Sequence, residues 1–192
     1  MLNIIKQILH SVIYNIFTKR REGIDVMAKY SAKEVAAYII NYSLKKEHRR
    51  IDNLKLQKLL YYIQAYFLCN TKSHSQCFSD TIEAWSWGPV VPNVYREYKV
   101  YGASGLPKVE IIDTEYEFFN DNLVEIPISF DPDKIFSPKD RENIEKVIDA
   151  YKDYSSIAMM KKTHQEDPWI KARKREKKEI LLEDIREYYG NN

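Results

Sequence analysis

Residues Thr81–Tyr98 read TIEAWSWGPVVPNVYREY, a short span that contains two tryptophans, a Gly-Pro pair and a second proline. Trp85 and Trp87 stand two residues apart, so an extended segment would direct both rings to the same face. Gly88-Pro89 breaks that strand, and Pro92 suits the first turn of a helix, where its missing N–H carries no penalty. The stretch predicts a corner made of a short strand, a kink and a helix start. Such a corner is either purely structural or part of a binding surface.

Helical periodicity and capping signals lie on both sides of this Trp corner (residues 81–98). Ser31 with Glu34 predicts a capping box for a helix over 32–46, and Asp52 or Asn53 caps a second helix that runs to about residue 69. Ser137 caps a helix over 138–154. Further helices are predicted over 92–101, 155–163 and 180–189, with short strands near 109–113 and 123–128 and a loop between those strands. The expected fold is mainly α, a single compact helical domain with a small β element.

Three sequence blocks, in this order along the chain, resemble one known family. They are NLKLQKLLYYIQAYFL at 53–68, the Trp corner at 81–98, and THQEDPWIKAR at 163–173. Together they resemble the Panacea domain, a family that includes phage-associated GepA-type proteins and SocA-type antitoxins. The resemblance runs from about residue 30 to residue 189. It implies a small, mainly helical, non-enzymatic protein that binds and neutralises a protein toxin encoded beside it.

The chain holds 15 tyrosines, which suit core edges and binding surfaces alike. Aromatic anchors in a groove can hold a partner segment at low entropic cost. We therefore predict a partner-binding surface formed by the Trp corner and the Tyr-rich helices beside it. Its predicted residues are Tyr61, Tyr62, Trp85, Trp87, Tyr95 and Tyr98.

A cluster at His164, Glu166, Asp167 and Trp169 resembles catalytic chemistry at first sight, because a histidine beside carboxylates can act as a general base. The local sequence favours a structural junction. His164 ends one short helix, Asp167-Pro168 caps the next, and Trp169 anchors that helix in the core. No serine or cysteine lies in a nucleophile motif. We expect a binding protein and no enzyme, with a small enzyme centred on His164 as an alternative.

Charge is segregated along the chain, although the net charge is only +2. The basic run at 171–178 is interpreted as a solvated helix face, with contacts to nucleic acid as the alternative. No helix-turn-helix signature accompanies the run, so a DNA-binding regulator is one hypothesis among several. The SocA-type members suggest another, a proteolytic adaptor that delivers a toxin to a ClpXP-type protease.

Small-molecule and metal sites find little support in the sequence. Five glycines leave no room for a Gly-rich phosphate loop. Cys69, His74 and Cys77 lack the fourth ligand and the close cysteine pair of a zinc site, and reduced thiols are expected for both cysteines. We expect no cofactor and no metal.

The N-terminal segment has apolar residues at 2, 4, 5, 8, 9, 12, 13, 16 and 17. This spacing predicts an amphipathic helix that is too short and too polar to cross a membrane, and the segment lacks the features of a signal peptide. We expect a cytoplasmic protein with an extension at 1–26 and a Panacea-like domain at 27–192, and Met27 could start a shorter form. The apolar stripe predicts docking on the chain's own domain, on a second copy as a homodimer, or on the toxin.

Overall fold

A computed structural model describes residues 28–47, 50–119 and 122–190 of this chain. The predicted amphipathic helix, the domain boundary at residue 26 and the alternative start at Met27 lie outside the described residues.

Eight α-helices and two β-hairpins make up this part of the chain. The helices are α1 (Ala32–Glu47), α2 (Asn53–Asn70), α3 (Pro92–Tyr98), α4 (Pro132–Ile135), α5 (Pro138–Ala150), α6 (Ser156–Thr163), α7 (Asp167–Arg173) and α8 (Leu182–Gly190), and a 3-10 turn at Lys99–Tyr101 extends α3. The strands are β1 (Glu83–Trp85) with β2 (Gly88–Val90), and β3 (Ile111–Phe119) with β4 (Asn122–Ser129), each pair antiparallel. The mainly helical class with a small β component is confirmed.

The predicted helix starts are confirmed by their capping bonds. The backbone N–H of Ser31 donates to Glu34 Oε2 at 2.8 Å, and the N–H of Glu34 donates back to Ser31 Oγ at 3.2 Å, which completes a capping box. Asp52 Oδ1 accepts from the N–H of Lys55 at 2.7 Å and so caps α2. Ser137 caps α5 in the same way through the N–H of Asp140.

Helix α2 is the centre of the hydrophobic core, because almost its whole circumference is covered by other elements. Helices α1, α3, α5, α6 and α8 and strand β2 all contact it. Leu56, Leu59, Leu60 and Ile63 are fully buried, as their helical spacing predicts. None of the helices in the described ranges is long and apolar enough to cross a membrane.

The second hairpin corrects the prediction for residues 109–128. Strand β3 continues to Phe119 through the stretch predicted as a loop, and β4 returns beside it from Asn122. The sequence pattern misses this because adjacent apolar residues, such as Phe118 and Phe119, break the simple alternation of a half-buried strand. Most side chains of this hairpin are exposed, so a buried face does not impose alternation on them.

Candidate functional site

The first part of the Trp corner, strands β1 and β2, forms a tight hairpin, which corrects one part of the prediction. Strand β1 ends at Trp85, and Ser86 and Trp87 form the turn. Gly88-Pro89 starts strand β2 and does not end a strand. The two tryptophans therefore do not share one face of an extended segment. Trp85 is half-buried and packs edge-on against Tyr95 at 5.0 Å between ring centroids, whereas 60% of Trp87 is exposed.

Gly88 is required at the start of β2 for two reasons. Its φ of +94° is a conformation that side-chain-bearing residues rarely adopt. A Cβ placed there would lie 2.6 Å from Lys58 Cε and 2.8 Å from Thr163 Oγ1. The turn can therefore sit directly on α2 and α6 only when this position carries no side chain.

Helix α2 holds the hairpin from beneath through two buried side chains. Lys58 Nζ donates to the carbonyl oxygen of Pro89 at 2.9 Å. Gln57 Oε1 accepts from the backbone N–H of Val91, also at 2.9 Å, while Gln57 Nε2 donates to Asn53 Oδ1. Buried polar groups of this kind are stable when they are hydrogen-bonded.

Helix α7 holds the opposite edge of the hairpin. Trp169 Nε1 donates to the carbonyl oxygen of Trp85, and Arg173 Nη1 donates to the carbonyl oxygen of Ala84, both at 3.1 Å. After α7 the chain runs along β1, where the N–H of Ala84 donates to the carbonyl oxygen of Lys178 at 2.8 Å. Both edges of this small hairpin are thus paired.

The three sequence blocks that carry the family resemblance therefore meet at one place. The first block supplies Gln57 and Lys58, the second supplies the hairpin, and the third supplies Trp169 and Arg173. Each contact joins residues that lie more than 30 positions apart in the chain. The blocks encode the scaffold of the Trp corner.

His164 lies between helices α6 and α7. His164 ends α6, with its N–H donating to the carbonyl oxygen of Met160, and its ring stacks on Trp169 at 4.1 Å. Burial, together with the nearby charges of Lys58 and Arg173, lowers the pKa of His164. One detail is corrected: Glu166 occupies the N-cap position of α7, Asp167 is the first helical residue, and no side chain makes the capping bond.

The side chain of Glu166 has another role, because it is buried and holds three elements together. It accepts from the hydroxyl of Tyr62 at 3.0 Å and from the hydroxyl of Tyr189 at 2.7 Å, and it pairs with Lys162 at 3.3 Å. Burial and the Glu166 carboxylate raise the pKa of Tyr62. This cluster explains why Tyr62, despite its polar tip, lies inside the fold.

The six aromatic residues predicted to bind a partner lie in two places. Tyr61, Tyr62 and Tyr98 are buried in the core. Trp85, Trp87 and Tyr95 line an open groove of about 1040 Å³ at the Trp corner. Its other lining residues, which are not among the six predicted, are Asp52, Asn53, Leu54, Gln57, Glu83, Ser86, Val90, Lys99, Gly102, Ala103, Ser156, Ile157, Arg173, Lys177 and Lys178.

The groove combines an aromatic wall with a cationic side. Lys99, Arg173, Lys177 and Lys178 line it, against only two carboxylates, Asp52 and Glu83. The basic run at 171–178 is therefore not the solvated helix face that its sequence predicts. Helix α7 ends at Arg173, because the chain then turns to follow β1.

Two more cations of that run form ion pairs with helix α8. Arg175 pairs with Asp184 at 2.6 Å and Lys171 pairs with Glu187 at 2.6 Å, which fastens α8 to the end of α7. The run is thus divided between internal ion pairs and the groove, and it does not form one continuous basic surface.

Cys69 and Cys77 are free thiols, and burial raises the pKa of both. Within residues 28–47, 50–119 and 122–190, no group of three or more His, Cys, Asp and Glu side chains is placed to hold a metal ion.

A comparison with known protein families agrees with the resemblance that the three sequence blocks carry. The family model described as antitoxin SocA-like, Panacea domain, matches residues 56–170, which is more than half of the chain. No curated protein and no solved structure matches this chain significantly. The matched range begins in α2, includes the whole Trp corner and ends within α7, so it covers the scaffold of the groove. This chain belongs to the SocA-like antitoxin family that carries the Panacea domain.

Proposed function

We propose that this protein is an antitoxin that neutralises a cognate protein toxin by direct binding, and that the groove at the Trp corner receives a segment of that toxin. Family membership supports a protein partner. The observation that carries the location is the groove itself, where an exposed tryptophan stands on a scaffold fastened from both sides. Exposed aromatic anchors on rigid supports are typical of binding hot spots.

The chemistry of the groove defines the segment that it would receive. Trp85, Trp87 and Tyr95 offer aromatic surface to an apolar side chain. The four cations beside them favour a segment that also carries carboxylates. We therefore expect the toxin to insert an apolar residue flanked by Asp or Glu.

Binding, and not turnover, is the proposed activity. His164 is the residue that could act as a general base, but its Nε2 is buried and has no hydrogen-bond partner among the described residues. Its ring lies flat against Trp169. A general base must reach the proton that it removes, and this arrangement instead suits a packing role.

Co-expression tests the proposal and separates it from its rivals. The toxin candidate is the product of the reading frame beside the gene for this chain, and both proteins are expressed from unrelated promoters. We expect this chain to restore growth, also in cells that lack the ClpXP-type protease. Rescue that requires the protease would favour an adaptor, and rescue only from the native promoter would favour a DNA-binding regulator. Absence of rescue under every condition would contradict the proposal.

A further inference from the structure

The hairpin β3–β4 leaves an unusual surface uncovered. Phe119 is 70% exposed, and Val124 and Ile126, on the same face of the hairpin, are 41% and 38% exposed. A two-stranded hairpin is marginally stable in water unless other parts of a protein cover it. Contiguous apolar surface of this kind usually marks a docking site.

One face of this hairpin has a regular pattern. The cross-strand pairs Asp113 with Ile128, Glu115 with Ile126, and Glu117 with Val124 place three carboxylates in a row beside three β-branched apolar side chains. We call this face the acidic strip. It suits an occupant that has an apolar stripe with cations along one side.

The N-terminal segment of the same chain has that chemistry. Residues 1–27 contain four Lys or Arg and two Asp or Glu, and residues 111–129 contain five Asp or Glu and no Lys or Arg. The sequence predicts a helix with an apolar stripe over residues 2–17. Lys6 lies within this helix, and the basic run at 19–21 follows it.

The described chain also starts in a suitable place. Tyr30 packs on Phe136 at 4.5 Å between ring centroids, and Phe136 packs on Phe130 at 6.5 Å. Phe130 directly follows β4, and its N–H donates to the carbonyl oxygen of Glu110 at the root of the hairpin. Residues 1–27 therefore join the described structure beside the hairpin.

The docking segment is long enough to cover the acidic strip. A helix over residues 2–17 would be roughly 24 Å long, whereas the five strand residues 113–117 span about 17 Å. The residues between 17 and 30 are enough to connect the two.

We propose that residues 2–17 dock in cis on the acidic strip of β3–β4, with their apolar stripe on Val124, Ile126 and Ile128. Lys6 and the cations that follow at 19–21 then lie on the side of Asp113, Glu115 and Glu117. The segment then covers part of the apolar surface that the hairpin exposes in the described residues. This docking needs no toxin, so it is independent of the proposed function.

Hydrogen exchange of the full-length chain, read by mass spectrometry, tests the docking. Leu9→Asp should make the hairpin amides exchange about tenfold faster, because it puts a charge in the apolar stripe. Ser11→Asp adds the same charge outside that stripe and should have no effect. The amides of Asn53–Asn70 serve as an internal reference and should not change in either variant.

A second pair of variants tests which face of the β3–β4 hairpin the N-terminal segment covers. Glu117→Lys on the acidic strip should also speed exchange, whereas Glu125→Lys should not, because Glu125 lies opposite Tyr116 on the other face. Hairpin exchange that is the same in Leu9→Asp and in the unchanged chain would overturn the proposal. A dimer mass in light scattering, with protection that is lost on dilution, would overturn docking in cis and assign the strip to a second copy.

Discussion

At Gly88 the backbone adopts a φ of +94° and lies against Lys58 and Thr163, so this residue sets how closely the hairpin approaches α2. The sequence shows a Gly-Pro pair at this point and predicts a break in a strand. It cannot show that the glycine is needed for contact with a lysine 30 positions earlier. The sequence around Gly88 therefore indicates a turn, but the need for glycine comes from contacts with residues that are distant in sequence.

Replacing Gly88 by alanine should destabilise the fold by roughly 2–4 kcal/mol, from left-handed strain and from overlap with Lys58. Gly102→Ala is the matched control, because Gly102 also has a positive φ, +54°, but a Cβ there meets nothing within 4 Å. It should cost roughly 1–3 kcal/mol, from backbone strain alone. Urea denaturation measures both, and equal losses would show that the overlap contributes nothing.

Lys58 should make the free energy of unfolding depend on pH. Burial lowers the pKa of its ammonium group to about 7 from an ordinary value of 10.5. Between these values the unfolded chain binds more protons than the folded one, so the free energy of unfolding should increase as pH rises from 7 towards 10. The Lys58 contribution to this slope is at most about 1.4 kcal/mol per pH unit.

The variant Lys58→Met removes the titrating group and should flatten the slope between pH 7 and pH 9. Urea denaturation at several pH values gives the free energy of unfolding for both proteins. Slopes that are identical in the variant and the unchanged chain would contradict a Lys58 pKa that burial has lowered.

At the scale of elements, the sequence predicted the helices well and the hairpins poorly. Helices α1, α2 and α5 follow from caps and spacing that lie within each segment. The hairpin β1–β2 has strands of three residues, and its position depends on Lys58, Trp169 and Arg173. Local patterns carry no information about such distant partners.

The contact between α7 and β1 can be tested by Trp169→Phe, which keeps an aromatic ring for stacking but removes the N–H that donates to Trp85. We expect a loss of about 1 kcal/mol in the free energy of unfolding and faster amide exchange in β1. Trp85→Phe is the control, since Trp85 Nε1 donates only to the half-buried Glu83 carboxylate at 2.7 Å and should contribute less. A Trp169→Phe protein with unchanged stability and unchanged β1 exchange would contradict a role for this bond.

His164→Ala should lower the melting temperature modestly, because it removes the stack on Trp169, a contribution of about 1 kcal/mol. Toxin neutralisation should persist. A substrate whose turnover stops in this variant while the melting curve stays close to that of the unchanged chain would overturn the proposal that the protein acts by binding alone.

At the scale of the whole molecule, the family blocks converge on one groove, and half of the aromatic residues predicted to bind a partner line it. Tyr61, Tyr62 and Tyr98 instead lie in the core. For Tyr62, sequence reasoning failed because its hydroxyl partner, Glu166, lies 104 residues away. Composition shows that tyrosines are numerous, but burial depends on partners that only the fold brings together.

Isothermal titration calorimetry tests whether the groove at the Trp corner binds the toxin. The toxin is the product of the neighbouring reading frame, and it is titrated into purified full-length protein. Trp87 is largely exposed, so Trp87→Ala should leave the melting temperature unchanged while it weakens toxin binding about 30-fold, as expected for a hot-spot anchor. Phe118→Ala removes a ring that is also largely exposed but does not line the groove, so this variant should bind as the unchanged chain does. A Trp87→Ala protein that binds the toxin with undiminished affinity would contradict the account.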